Sequence, residues 1–158
     1  MLIYSETKHE FNKDIQSNSL ADKINLLFWQ HGLQHGNKSE YLSWKNSLAY
    51  MQKILDRPYF PDGIQIAIEY QIPQTSKRVD FIIAGQDDNS QDHVIVIELK
   101  QWQSARRTSR KDIVKAYTGG QERDVAHPSY QAYSYAKTIE NFNEVVTQKS
   151  IKIHPCAY

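Results

Sequence analysis

Residues 64–102 read IQIAIEYQIPQTSKRVDFIIAGQDDNSQDHVIVIELKQW, and the reading of this stretch decides the fold. Three aliphatic runs are separated by polar turns, which predicts strands over Ile64–Ile72, Arg78–Ala84 and His93–Leu99. Pro73 ends the first, and GQDDNSQD is the hairpin loop between the second and third. Short connections between consecutive strands imply an antiparallel meander. Inside the runs stand charges: Asp80 in RVDFII, then Glu98 and Lys100 in VIVIELK. Charge among Val and Ile is costly to bury without a partner, so these residues mark a candidate site.

Upstream, Leu20, Ile24, Leu27 and Phe28 recur at the period of an amphipathic helix, with Gly32 and Gly36 as its stop signal. A second helix is predicted over Ser39–Leu55. Ser39 is its cap, Trp44, Leu48, Met51 and Leu55 are its apolar stripe, and Glu40 lies in the first turn, where the helix dipole favours a carboxylate. Residues 1–18 are mixed and polar, with Phe11 and Ile15 at helical spacing, and read as a loosely attached arm. Downstream, QSARRTSRK carries Arg106, Arg107, Arg110 and Lys111 without an acid. IVKAYTGG reads as a short edge strand ending at Gly119-Gly120. His127-Pro128 opens a helix through SYQAYSYAKTIENFNEVV, and SIKIH is a last strand that can cross over to the sheet. The order αβββαβ, with an additional N-terminal helix, predicts one α/β domain over 1–158: a mixed central sheet flanked by helices.

With 158 residues, 40% hydrophobic and 23% charged, the chain is long enough for a core and is not disordered in composition. A net charge of +1 excludes a uniformly basic nucleic-acid coat, so any such surface is local. Cys156 is the single cysteine, which excludes an intrachain disulfide and a cysteine-based zinc site. MLIYSETKHEF lacks the apolar core of a signal peptide, and LLFW and VIVI are too short to cross a membrane. These features together predict a cytoplasmic protein. His31 and His35 are four apart, but Gly32 stands where a zincin has glutamate, which argues against a metal pair there.

Side chains alternate along a strand, so Glu98 and Lys100 share a face, and hairpin pairing can bring Asp80 beside Glu98. Two adjacent carboxylates repel unless a cation lies between them. Mg²⁺ or Mn²⁺ answers that need, with the Leu99 carbonyl a natural third ligand and Lys100 placed to stabilise charge developing on a phosphate. This is a phosphodiester-hydrolysing pattern. The same spacing also arises in strands whose Glu and Lys simply face water. Gln131 and Tyr135 share a helix face, suiting either phosphate oxygens or a core tyrosine beside a solvated amide. Trp102 can stack a base or anchor the sheet edge. Arg106, Arg107, Arg110 and Lys111 can track a phosphate backbone or form a solvated loop.

Arg78-Val79-Asp80 followed by Glu98-Leu99-Lys100 resembles the PD-(D/E)XK nuclease motif, with Val79 in place of the proline. Gln131-Ala132-Tyr133-Ser134-Tyr135 resembles the QxxxY motif of its RecB-like and lambda-exonuclease-like members. The resemblance implies a restriction-endonuclease-like core, Asp80 and Glu98 as metal ligands, and Lys100, Gln131 and Tyr135 as catalytic partners. It also implies a metal-binding acid on the helix before the first strand; Glu40 occupies that place, and Glu69 on the first strand competes with it. Arg78 and Trp102 join the basic run as candidate nucleic-acid contacts. SEYLSWKNSL, EYQIPQTSKRVDFIIAG, VIVIELKQW and HPSYQAYSYA look like the amino-terminal nuclease-like region of bacterial Schlafen-like DNA/RNA helicase proteins. That likeness implies DNA, or else RNA, as substrate and a helicase ATPase region in the parent protein. This chain has no GxxxxGK[ST] loop, and HPCAY looks like a junction, so an excised or truncated domain is expected. The rival expectation is a catalytically silent nucleic-acid-binding module.

Overall fold

The computed structural model describes residues 1–33 and 38–158. Among these residues two sheets and five helices make a mixed α/β protein. Strands β1 (Tyr4–Thr7), β2 (Gln65–Gln71), β3 (Arg78–Gln86), β4 (Asp92–Glu98) and β8 (Lys152–Ala157) form a five-stranded sheet in the order β1-β2-β3-β4-β8. The first four pair antiparallel, β2 to β4 as the meander pattern predicts, and β8 pairs parallel with β4. That parallel pairing follows from the intervening helix α4 (Pro128–Phe142), which carries the chain back across the sheet.

Each face of the sheet is covered by what its alternating side chains require. On one face, α1 (Lys8–Gln16), α2 (Leu20–Gln30) and α3 (Lys38–Leu55) bury Phe11, Ile24, Phe28, Trp44, Leu48, Met51 and Leu55 against Ile66, Ile68, Phe81, Ile83 and Ile97. On the other, α4 and α5 (Glu144–Gln148) bury Tyr135, Ala136, Ile139 and Val146 against Val79, Ile82 and Val96. His127 caps α4 by accepting from the Ser129 amide, and Pro128 occupies the first turn, where its missing N–H costs nothing.

Several expectations are corrected. Residues 1–18 are not a loose arm. Tyr4–Thr7 adds an edge strand to β2, and Tyr4 and Phe11 are fully buried. Phe11 packs edge-on against Phe81 at 5.6 Å, and the Thr7 side chain caps α1 by accepting from the Glu10 amide. Ser39 lies inside α3, which begins at Lys38, and so is not its cap. The expectations resting on His35 and Gly36 lie outside the described residues. Ile113–Thr118 is no edge strand: it is β6, central in a second antiparallel sheet between β5 (Ala105–Arg107) and β7 (Gln121–Ala126). Gly119 and Gly120, with φ of +59° and +83°, make the two-residue hairpin turn between β6 and β7. Arg106 and Arg107 therefore sit on a strand, not in a loop.

Candidate functional site

Strand register brings the acids into one row. Ile68 pairs with Phe81 and Tyr70 with Val79, which sets Glu69 level with Asp80. Phe81 pairs with Ile97, so the next step sets Asp80 level with Glu98. Three carboxylates thus lie side by side on β2, β3 and β4. The pleat is interrupted along this row. Ile66 and Ile68 face the α1–α3 core, yet Ile72 and Tyr70 pack on the α4 side; likewise Val79 faces α4 and Phe81 faces α1–α3. Strict alternation would keep each set on one face. The switch on β2 falls at Glu69, whose φ of +56° is left-handed, a conformation costing a non-glycine residue about 1–2 kcal/mol.

Each acid is held differently. Asp80 Oδ2 accepts from the Leu99 amide at 2.8 Å. Glu98 is 1% exposed; its Oε1 is held by Lys100 Nζ, and its Oε2 is buried without a hydrogen-bond partner among the described residues. Glu69 Oε1 accepts from Trp44 Nε1 at 2.8 Å, and its Oε2 lies 3.4 Å from Arg78 Nη1. Arg78 Nη2 also donates to Glu40 Oε1 at 2.8 Å, so one guanidinium bridges the acids of α3 and β2. Beyond Glu98 the chain is fixed on two sides. The Lys100 amide donates to the Tyr158 carbonyl and the Tyr158 amide to the Glu98 carbonyl, both at 2.9 Å. The Gln101 amide group reaches α3, donating to the Ser43 carbonyl at 2.9 Å and to Ser47 Oγ at 2.7 Å.

Burial governs the protonation of the row. It pushes Glu98 up to about 7, reinforced by the neighbouring Asp80 charge and opposed by Lys100. It also pushes Glu69 up to about 7 against the Trp44 hydrogen bond and the Arg78 charge. Asp80 is raised by burial, while the Leu99 amide and Lys100 pull it back. In the sequence the strand position of Glu69 suits a solvent face as well as the site; in the fold a left-handed backbone accompanies its burial beside Trp44. Trp44, similarly, read only as core stripe.

Glu40, Glu69, Arg78, Asp80, Glu98, Leu99, Lys100, Gln131 and Tyr135 all line one cleft of about 660 Å³. Gln131 Nε2 donates to the Tyr135 hydroxyl at 2.9 Å, tying the two α4 residues together. Trp102 lines the adjoining space, with Lys100 Nζ 5.9 Å from its ring centroid. Arg106, Arg107, Arg110 and Lys111 do not join the cleft; they line a separate groove. Leu99 enters through its amide. Among the described residues no group of three or more His, Cys, Asp and Glu side chains is placed to hold a metal ion, and no helix is long and apolar enough to cross a membrane. Compared with protein-family models, curated proteins and solved structures, the chain matches none of them.

Proposed function

We propose that the cleft hydrolyses phosphodiester bonds of nucleic acid, DNA in preference to RNA, in a divalent-metal-dependent reaction. The observation that carries this reading is the buried Glu98 Oε2, without a hydrogen-bond partner among the described residues, in a cleft that also holds Asp80 and Lys100. A buried carboxylate oxygen without a donor is expensive, and a hard cation is the ligand class it fits. Asp80 and Glu98 would hold Mg²⁺ or Mn²⁺, with the Leu99 carbonyl and, once released from Arg78, Glu40 as further donors. Bound there, the ion supplies Lewis-acid polarisation of a phosphoryl oxygen.

The chain's own groups have definable tasks on this reading. Lys100 places a positive charge next to Glu98 and stabilises negative charge that builds on the phosphate. Gln131 and Tyr135, on α4, line the same cleft and would orient phosphate oxygens. Arg78 anchors the wall formed by Glu40 and Glu69. The element order α3-β2-β3-β4-α4-β8, with its antiparallel meander and parallel final strand, supports a restriction-endonuclease-like core as the finer fold. The sequence resemblance to Schlafen-like helicase proteins supports a parent protein in which a helicase ATPase region delivers the strand, and the single cysteine fits a cytoplasmic location.

A second reading, a catalytically silent binding module, is favoured by one observation: Lys100 and Arg78 already neutralise Glu98 and Glu40. Incubating the protein with linear, circular and single-stranded DNA plus Mn²⁺ separates the two. Cleavage abolished by Asp80→Ala and by Lys100→Ala supports the hydrolase. Cleavage that survives both substitutions refutes it, and salt-sensitive binding without cleavage favours the module.

A further inference from the structure

The basic run that the sequence places next to the site is, in the fold, a site of its own. A groove of about 880 Å³ lies between β5, the turn 108–112, β6 and the first turns of α4. It shares no lining residue with the cleft. Its cations stand on β5 and on this turn, which is held by Thr108, whose Oγ1 donates to the Ile113 carbonyl at 2.8 Å and accepts from the Arg110 amide at 3.2 Å. Two are partnered, Arg106 with Glu122 and Arg110 with Asp124. Arg107 and Lys111 are exposed and have no acidic partner among the described residues. The opposite wall carries Tyr130 and Tyr133, 48% and 49% exposed. Exposed rings beside unpaired cations match a strand with phosphates to neutralise and base faces to stack.

Helix α4 connects the two places. Gln131 and Tyr135 face the cleft, while Ser129, Tyr130 and Tyr133 face the groove. We propose that this groove is an exosite for a single nucleic-acid strand, gripping the polymer through Arg107, Lys111, Tyr130 and Tyr133 at a distance from the cleft. The choice of nucleic acid as occupant rests on the function proposed above; the groove's charge and shape do not.

The test measures anisotropy of a labelled single-stranded oligonucleotide with the intact chain in EDTA, so that no cleavage is needed. Arg107→Glu/Lys111→Glu is compared with Lys13→Glu/Lys53→Glu, which makes the same charge change on exposed lysines elsewhere. Losing two phosphate contacts should lower the slope of log affinity against log salt by about 1.4, at about 0.7 per contact. Over a fourfold rise in salt, the wild-type advantage should therefore shrink about sevenfold. Tyr130→Ala/Tyr133→Ala should weaken binding and leave that slope unchanged. Circular dichroism confirms that each variant is folded. Equal affinity and slope for the two charge-reversed proteins would overturn the exosite, as would inorganic polyphosphate of equal charge competing as well as the oligonucleotide. Groove-dependent binding without cleavage in Mn²⁺ would sink the cleft's chemistry and leave the exosite standing; cleavage without groove dependence would do the reverse.

Discussion

Replacing Glu98 by Gln should stabilise the protein at neutral and alkaline pH and have little effect in mild acid. Burial and Asp80 hold the Glu98 carboxyl at about 7 in the folded protein, against an ordinary 4.5. A carboxyl whose folded pKa is raised binds its proton more tightly when native. The stability that this carboxyl contributes is therefore fully present below about 4.5, is lost as the pH rises towards 7, and does not change beyond it. The difference of about 2.5 pH units, at 1.36 kcal/mol each, corresponds to about 3 kcal/mol, of which roughly 2.5 falls between pH 5 and pH 8. Glutamine cannot ionise, so this loss disappears, while its amide keeps an oxygen for Lys100 and offers Asp80 a donor. Urea unfolding of both proteins at pH 5 and pH 8 reads the effect directly. The wild type should weaken between those values by about 2.5 kcal/mol more than Glu98→Gln, because Glu69 titrates over the same range in both. Parallel pH profiles for the two proteins would refute the burial argument.

Phe11→Ala should cost about 3–5 kcal/mol in a single cooperative urea transition, since Phe11 is fully buried against Phe81; a loose arm would show no change. Trp44→Phe removes the donor to the buried Glu69 Oε1 and should cost about 1–3 kcal/mol, seen as a lower urea midpoint at pH 8. On the hydrolase reading, Lys100→Met should lower kcat with Mn²⁺ by about 10²–10³-fold, with circular dichroism to check that the variant stays folded once the buried Glu98 loses this partner.

The meander and the acids were legible because aliphatic runs between polar turns fix strands strongly. Pairing two such strands through GQDDNSQD leaves little freedom in where Asp80 meets Glu98. The helix stripe Trp44, Leu48, Met51, Leu55 was equally plain. What the residues hid has physical reasons. Tyr4–Thr7 is a four-residue edge strand whose pairing partner lies sixty residues away, so no local pattern marks it. β7 reads QERDVA, polar enough to pass for a loop, and only its pairing across Gly119-Gly120 makes it a strand. The burial of Glu69 depends on one left-handed φ in mid-strand, which a sequence of β-formers does not announce. The basic run is plain in the sequence, but its closeness to Lys100 along the chain is undone by the second sheet.

On the proposed function, Asp80 and Glu98 form the seat of a divalent cation. A crystal grown with Mn²⁺ and examined at the manganese absorption edge tests it most directly. The account predicts an anomalous peak at coordinating distance from both carboxylates, with Lys100 Nζ drawn away from Glu98. An ordered structure at saturating Mn²⁺ with no peak there, and with Lys100 still holding Glu98, would contradict it.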